Sequence, residues 1–196
     1  MKLHIGGHKK HSDWHIFDIS PSEVTDFVGN CTDMSQFPDN SIEEIYASHV
    51  LEHLSHNGEL ASSLREFLRI LTFGGKISIS VPDFMEIARA FCADDLTTGD
   101  RYKLSRLAFG GQRDEFDLHK IGFSYDILEL LLREIGFCNV SRIDQFNLFD
   151  DASRGKVDPR RQDGSICQSI DRIRFSINAI AYKPGMSGTA AVGVER

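Results

Sequence analysis

Cysteine is scarce and scattered in this sequence. Its four cysteines are Cys31, Cys92, Cys138 and Cys167, and no two of them form a C-x-x-C pair. Zinc and redox motifs built on closely spaced thiols are therefore excluded. The start of the chain shows no charged leader followed by an apolar segment, so we expect reduced thiols and a cytoplasmic location.

Long apolar runs and basic patches are also lacking. No segment approaches the roughly 18 apolar residues of a membrane span. The formal net charge is −7, and the densest basic runs are "HKKH" and "DPRRQD". Because nucleic-acid binding usually needs a basic patch, neither a nucleic acid nor a membrane is an expected partner. With 41% hydrophobic and 26% charged residues, the 196-residue chain has an ordinary globular composition.

Strand and helix signals alternate over the first 80 residues. Short strands are predicted at 2–5, 14–19, 43–48 and 75–81, and the last of these alternates isoleucine or valine with serine. Between the third and fourth strands, residues 57–71 carry leucine and phenylalanine at helical spacing, and the glycines that follow are expected to end this helix. A strand, a helix and a further strand in this order predict a parallel βαβ unit with a right-handed crossover.

The second half of the chain is richer in helix signals. Helices are predicted at 83–93, 100–109 and 124–137, and strands at 139–146 and 172–182. Ser124 and Gly136 are the expected caps of the third helix.

The order of elements predicts an α/β fold with a doubly wound, mostly parallel sheet. We expect a single domain over residues 1–183, with a helical insertion at 83–118 before the last helix. Residues 184–196 are small, polar and weakly patterned, and they are expected to form a flexible tail.

The residues after each predicted strand are the first candidates for a site, because such sheets bind ligands at the carboxyl ends of their strands. Gly6 and Gly7 would let the backbone approach a ligand closely, although paired glycines also occur in ordinary turns. Asp18 stands where a carboxylate can accept both hydroxyls of a ribose. Asp33 stands where a loop could reach an adenine amino group. For both acids, a solvated turn is the alternative.

The stretch "ASHVLEHL" contains His49, Glu52 and His53, which spell H-x-x-E-H. Some zinc peptidases use this spacing, but they need a third ligand and a peptide cleft. Here the motif begins at a strand end and "SHNG" follows at once, which indicates a short helical turn at a ligand crevice. We therefore expect no metal. Two alternatives stay open: solvated histidines at a capped turn, or residues that line a cofactor or substrate pocket.

The whole order of segments resembles the Rossmann-like (class I) S-adenosylmethionine-dependent methyltransferases. It is most similar to small bacterial members often associated with sugar and polysaccharide pathways. The most specific parts are "FPDNSIEEIYASHVLEHL" and "LRILTFGGKISISVPD", and "HKIGFSYDILELLLREIGF" is similar to the family's last helix and the loop before it. The resemblance runs from Lys2 to about Tyr182. Phe73 replaces a usual proline, and His8 replaces the second glycine of the first loop.

The resemblance implies S-adenosylmethionine as the cofactor and methyl transfer to a small molecule or a sugar, on oxygen. A sugar or nucleotide-sugar is the expected acceptor, and the oligomeric state is not indicated. The expected cofactor-binding residues are Gly6, Gly7, Asp18, Asp33, Met34 and Ser48.

A hydroxyl acceptor benefits from a general base, which is most often histidine. His119 stands in "DLHKIGFSYD", in the loop where related methyltransferases often carry a histidine. It is the first candidate for the base, and His49 and His53 are the others. The insertion at 83–118 is expected to cover the crevice as a lid and to shape the acceptor site.

Two other functions are weighed against methyl transfer. The first is a catalytically silent Rossmann-like binding or scaffold protein, which His8 in the glycine loop favours. The second, a zinc hydrolase built on His49, Glu52 and His53, is less favoured because no third ligand is evident.

Overall fold

The computed structural model describes residues 1–149 and 152–186. Most of the predicted tail at 184–196 therefore lies outside the described residues. Within them, no helix is both long enough and apolar enough to cross a membrane.

The described residues form seven strands and five α-helices. The strands are β1 (Lys2–Ile5), β2 (His15–Asp18), β3 (Phe27–Val28), β4 (Ile42–Ser48), β5 (Leu71–Pro82), β6 (Cys138–Ile143) and β7 (Ser176–Tyr182). The helices are α1 (Glu59–Ile70), α2 (Phe84–Phe91), α3 (Thr98–Phe109), α4 (Tyr125–Ile135) and α5 (Gln168–Asp171). Two short 3-10 helices span Leu51–His53 and Ala152–Arg154.

All seven strands belong to one sheet, in the order β3-β2-β1-β4-β5-β7-β6. The first five strands are parallel to one another, and β7 is antiparallel to both β5 and β6. The predicted α/β fold with a mostly parallel sheet is confirmed. The strand order reverses between β1 and β4, and this reversal is where an open sheet of this kind forms a ligand crevice.

The βαβ unit of β4, α1 and β5 is confirmed, but its glycines act differently from the prediction. Helix α1 buries Leu60, Leu64 and Phe67 against the sheet. It ends at Ile70 and passes directly into β5, so no glycine ends it. Gly74 lies inside β5 with φ +76°, near the point where the pairing of β4 with β5 shifts register. The glycines therefore form an irregularity within the strand.

The two faces of the sheet differ in polarity. Ile45 and Ile77 point into the main apolar core, which α1 and α4 cover. Tyr46 and Ser78, their neighbours along the strands, are buried on the opposite face. There the Tyr46 ring packs on Phe149 at a centroid distance of 4.9 Å. This second face is covered in part by aromatic side chains that follow β6, an arrangement that no strand pattern predicted.

The insertion is helical, as predicted, and it packs against a segment predicted to be loop and strand. Ile87 of α2 and Leu104 of α3 form a second apolar core with Cys167, Ile170 and Phe175. The first four residues of the predicted last strand, 172–175, instead form a connection after α5, and β7 begins only at Ser176. The insertion thus packs against the connection between β6 and β7.

Candidate functional site

A cavity of about 380 Å³ opens at the carboxyl ends of β1, β2 and β4. Its lining includes Gly6 and Gly7 after β1, Asp18 at the end of β2, and His49 and His53 after β4. It therefore lies at the reversal of strand order, where the fold predicts a ligand site. Five of the residues predicted for the site meet at this cavity.

The turn after β1 requires glycine. Gly6 has φ +70°, which glycine adopts without strain. A Cβ atom at Gly7 would lie 2.7 Å from Nδ1 of His4, too close to be tolerated. Because His4 lies behind the turn, the absence of a side chain at Gly7 lets the turn pack against the His4 ring. It also leaves room for a ligand on the side of the cavity. His8, which departs from the family pattern, is exposed and lines the cavity.

The carboxylate of Asp18 is placed to bind a polar ligand. Asp18 is half-buried, and its Oδ1 accepts a hydrogen bond from the Ser20 N–H at 2.7 Å. This contact fixes the side chain at the rim of the cavity. Asn30 and Cys31, which follow β3, line the same side. Neither was predicted, because β3 is only two residues long and gives no clear strand signal.

Three of the predicted cofactor residues do not line the cavity. Asp33 is exposed, and its Oδ1 accepts from the Ser35 N–H at 3.1 Å, as a turn residue does. Met34 is fully buried in the main core. Ser48 is half-buried, and its Oγ has no hydrogen-bond partner within the described chain. Their roles in cofactor binding stay predictions.

His49 is held in an unusual backbone conformation directly after β4. Its φ is +56°, in the left-handed region, and its N–H donates to the Ser80 carbonyl at 2.8 Å. The ring contacts a group at each nitrogen. Nδ1 lies 3.0 Å from Glu52 Oε1, and Nε2 lies 3.2 Å from Ser176 Oγ. The Glu52 contact has the distance of an ion pair without the alignment of a hydrogen bond.

His53 and His119 lie against each other beside Glu52. Their ring centroids are 4.8 Å apart, and the rings meet edge to face. His53 Nδ1 lies 3.2 Å from the Leu118 carbonyl, so that nitrogen carries the proton and donates it. Burial lowers the pKa of His119, and the Glu52 carboxylate only partly offsets this effect. His119 is therefore a neutral imidazole at pH 7, but it does not itself line the cavity.

The loop between α3 and α4 reaches over the cavity. Asp114, Glu115 and Phe116 of this loop line it. Within the loop, Asp117 Oδ2 accepts a hydrogen bond from the Arg113 guanidinium at 2.8 Å. Phe116 remains 48% exposed, so its ring is available to contact a ligand. The sequence predicts that the insertion covers the crevice, but it does not indicate which side chains of this loop face the site.

Comparisons with known proteins agree with this geometry. The family model described as "Methyltransferase domain" matches residues 10–79, which contain β2 to β4, α1 and most of β5. A search of curated proteins found no match.

Solved structures match nearly the whole chain at low sequence identity. A chain from the complex between the Haloferax volcanii Trm112 methyltransferase activator and a methyltransferase is 12% identical, with a TM-score of 0.57 over 93% of this chain and 82% of that chain. An S-adenosylmethionine-dependent methyltransferase from Archaeoglobus fulgidus is 16% identical, with a TM-score of 0.53 over 93% and 85%. Phosphoethanolamine N-methyltransferase 2 of Haemonchus contortus matches at 13% identity and a TM-score of 0.51, over 93% of this chain and 48% of that chain.

The likeness to these structures establishes the methyltransferase fold. Together with the matched domain, it supports an S-adenosylmethionine-dependent methyltransferase, with S-adenosylmethionine as the cofactor. The site fits that cofactor: a turn without side chains follows β1, and a carboxylate stands at the end of β2. The methyl acceptor is a separate question.

Proposed function

We propose that this protein transfers the methyl group of S-adenosylmethionine to a hydroxyl of a neutral, sugar-like small molecule. The observation that carries this proposal is the position of His49 directly after β4. There an imidazole lines the cavity and contacts the buried carboxylate of Glu52. A hydroxyl acceptor needs a base at the wall of the cofactor cavity, because it must lose its proton during methyl transfer. An atom that is already nucleophilic does not need such a base.

Asp18 and the glycine turn would hold the cofactor. Asp18 would accept the ribose hydroxyls, and the hydrogen bond that holds its carboxylate at the end of β2 supports this role. Gly6 and Gly7 would let the backbone approach the ligand, and Asn30 and Cys31 would form the wall beyond β3. When bound, the cofactor supplies a methyl group activated by the positive charge on sulfur.

His49 would take the acceptor's proton. The Glu52 carboxylate lies 3.0 Å from Nδ1 and stabilises positive charge on the ring as the proton arrives. Nε2, which lies 3.2 Å from Ser176 Oγ, would accept the proton once the acceptor hydroxyl takes the place of the Ser176 hydroxyl. His53 also lines the cavity and is the second candidate for the base. His119 lies behind His53, so we propose that it supports this group.

The lining of the cavity favours a neutral acceptor. Glu59, Asp114 and Glu115 line it on the side of the loop, and the cation there is Lys120. Lys120 is already paired, with Nζ 3.2 Å from Glu59 Oε2. Carboxylates accept hydrogen bonds from sugar hydroxyls but repel phosphate groups. We therefore expect a sugar hydroxyl in preference to a nucleotide-sugar.

A transfer assay with methyl-labelled S-adenosylmethionine tests this proposal. The acceptors would be a set of neutral sugars, the matching nucleotide-sugars and a set of primary amines. We expect label on the hydroxyls of neutral sugars, and far less label on the diphosphate-bearing compounds. Label on amines alone would contradict oxygen as the target. Tight cofactor binding without transfer to any class would favour the scaffold alternative.

A further inference from the structure

Glu52 is a buried carboxylate with too few partners. Its side chain is 0% exposed, and neither oxygen has a hydrogen bond within the described residues. Among the described residues, the Nδ1 atom of His49 lies 3.0 Å from Glu52 Oε1. Removing a carboxylate from water without hydrogen bonds is costly, so buried carboxylates are normally paired or coordinate a metal ion.

Two further imidazoles present donor atoms beside Glu52. One ligand atom from each of Glu52, His53 and His119 lies within 4.8 Å of the others. His53 donates its Nδ1 proton to the Leu118 carbonyl, which leaves the lone pair on Nε2. His119 Nδ1 is buried and has no hydrogen-bond partner. In metal sites, a backbone carbonyl commonly fixes one nitrogen of a histidine ligand, and His53 has the same arrangement.

We propose that Glu52, His53 and His119 bind one divalent ion of the zinc class at the wall of the cavity. Two imidazoles and a carboxylate are a donor set that zinc and neighbouring first-row ions accept. Ligand atoms around a tetrahedral zinc lie roughly 3.4 Å apart, from bonds of about 2.0–2.1 Å. Rotations of the three side chains can shorten the distances between their ligand atoms to this value. Because His53 lines the cavity, an ion held by this group would lie at the cavity wall.

The backbone already holds the three side chains together. The Glu52 carbonyl accepts hydrogen bonds from the N–H groups of Lys120 at 2.7 Å and Ile121 at 3.2 Å. The His53 ring contacts Leu118 in the same segment. The 3-10 helix Leu51–His53 is therefore joined to the segment that carries His119. The proposal departs from the expectation that H-x-x-E-H binds no metal. In it, the last two residues of the motif share the ion with a third ligand from beyond α3, and His49 stands outside the set.

Metal titration of tag-free, chelator-treated protein tests the site. The probes are Zn²⁺, with affinity measured by competition against a chromogenic chelator, and Co²⁺, with visible absorption that reports its geometry. We expect one ion per chain and the strong absorption of tetrahedral Co²⁺. His119→Ala and Glu52→Gln should weaken Zn²⁺ binding about 10–100-fold or more. His56→Ala, at an exposed histidine outside the group, should bind as wild type does.

Circular dichroism establishes whether each variant folds, and His53→Ala replaces Glu52→Gln if that variant does not. Binding of fewer than 0.1 ion per chain by wild-type protein at a saturating concentration would overturn the metal site, as would folded variants that bind zinc unchanged. Affinity for S-adenosylhomocysteine is measured in the same metal-free protein. A failure of the metal site is thereby separated from a failure of the proposed methyl transfer.

Discussion

His49 combines an unfavourable backbone conformation with a position at the cavity. A non-glycine residue in the left-handed region costs on the order of 1 kcal/mol or more, and such residues cluster at functional sites. At φ +56°, with its N–H held by Ser80, His49 directs its ring between Glu52 and Ser176. The surrounding contacts therefore fix this ring before any ligand arrives.

Replacing His49 separates catalysis from folding. His49→Asn suits the test, because asparagine adopts the left-handed region readily. If His49 is the base, turnover should fall roughly 10²–10⁴-fold while affinity for S-adenosylhomocysteine changes little. Steady-state rates at saturating acceptor measure the first quantity, and calorimetry measures the second. His56→Asn at an exposed position is the matched control. Unchanged turnover in His49→Asn would remove His49 from catalysis and leave His53 as the candidate.

Packing around Gly7 leads to a second prediction at the scale of single residues. A methyl group there would meet the His4 ring at 2.7 Å, and His4 is itself buried against Tyr46 and Phe149. Gly7→Ala should therefore lower the free energy of unfolding by about 1–3 kcal/mol. Urea denaturation measures the change. Gly185→Ala, where an added Cβ meets nothing, should leave stability nearly unchanged. Equal stabilities for the two variants would show that the turn relaxes without cost.

At the scale of elements, α3 is held at its first turn. Thr97 and Asp100 form a capping box, in which each side chain bonds the backbone N–H of the other. Asp100 is buried, and its Oδ2 also accepts from the Arg161 guanidinium at 2.8 Å. This ion pair ties the insertion to the segment before α5. Burial alone would raise the pKa of Asp100, but the Thr97 hydrogen bonds and Arg161 together lower it.

Asp100 should therefore contribute stability that depends on pH. The folded-state pKa lies below the unfolded one, so the unfolded chain binds more protons in acid. The contribution is present above about pH 4 and is lost as the pH falls through the folded-state pKa. Asp100→Asn should lower the free energy of unfolding by about 1–3 kcal/mol at pH 7, and by less at pH 3. Asp94→Asn, at an exposed neighbour, is the control. A deficit of equal size at both pH values would contradict the assignment.

The loop from 110 to 118 is the part of the insertion that meets the cavity. Since Phe116 offers an exposed ring to a ligand, Phe116→Ala should raise KM for the acceptor several-fold with a smaller effect on kcat. Tyr102→Ala, an exposed aromatic on α3 outside the cavity lining, is the control.

Hydrogen exchange in this loop should slow when product cofactor and acceptor are both bound. Exchange that is slow already in the free protein would argue against a lid.

At the scale of the whole molecule, the sequence predicts the strands of the sheet more accurately than it predicts the segments that pack over the sheet. The serine-containing strand at 75–81 and the helix before it identify a parallel βαβ unit, because their periodicities are local. The covering of the second sheet face by Phe149 has no periodic signal. Nor does the packing of the insertion against Cys167 and Phe175. These contacts join segments far apart in sequence, and only the folded chain specifies them.

The same distinction applies to the candidate site. Gly6, Asp18 and His49 could be predicted, because each follows a strand whose carboxyl end must lie at the crevice. The contact of His119 with His53 and Glu52 could not, since it depends on how the segment after α3 returns to the sheet. Asp33 follows the same strand-end rule, yet β3 is so short that the residue lies in a turn outside the cavity.

Calorimetric titration with S-adenosylhomocysteine is the most direct test of the central claim, that the cavity after β1, β2 and β4 binds the cofactor. We predict one site per chain with micromolar affinity, on the order of −8 kcal/mol. Asp18→Ala should weaken binding by roughly 1–3 kcal/mol. Asp94→Ala, at an exposed carboxylate outside the cavity lining, should leave it unchanged. No binding to the wild type, or equal affinities for wild type and Asp18→Ala, would contradict the account.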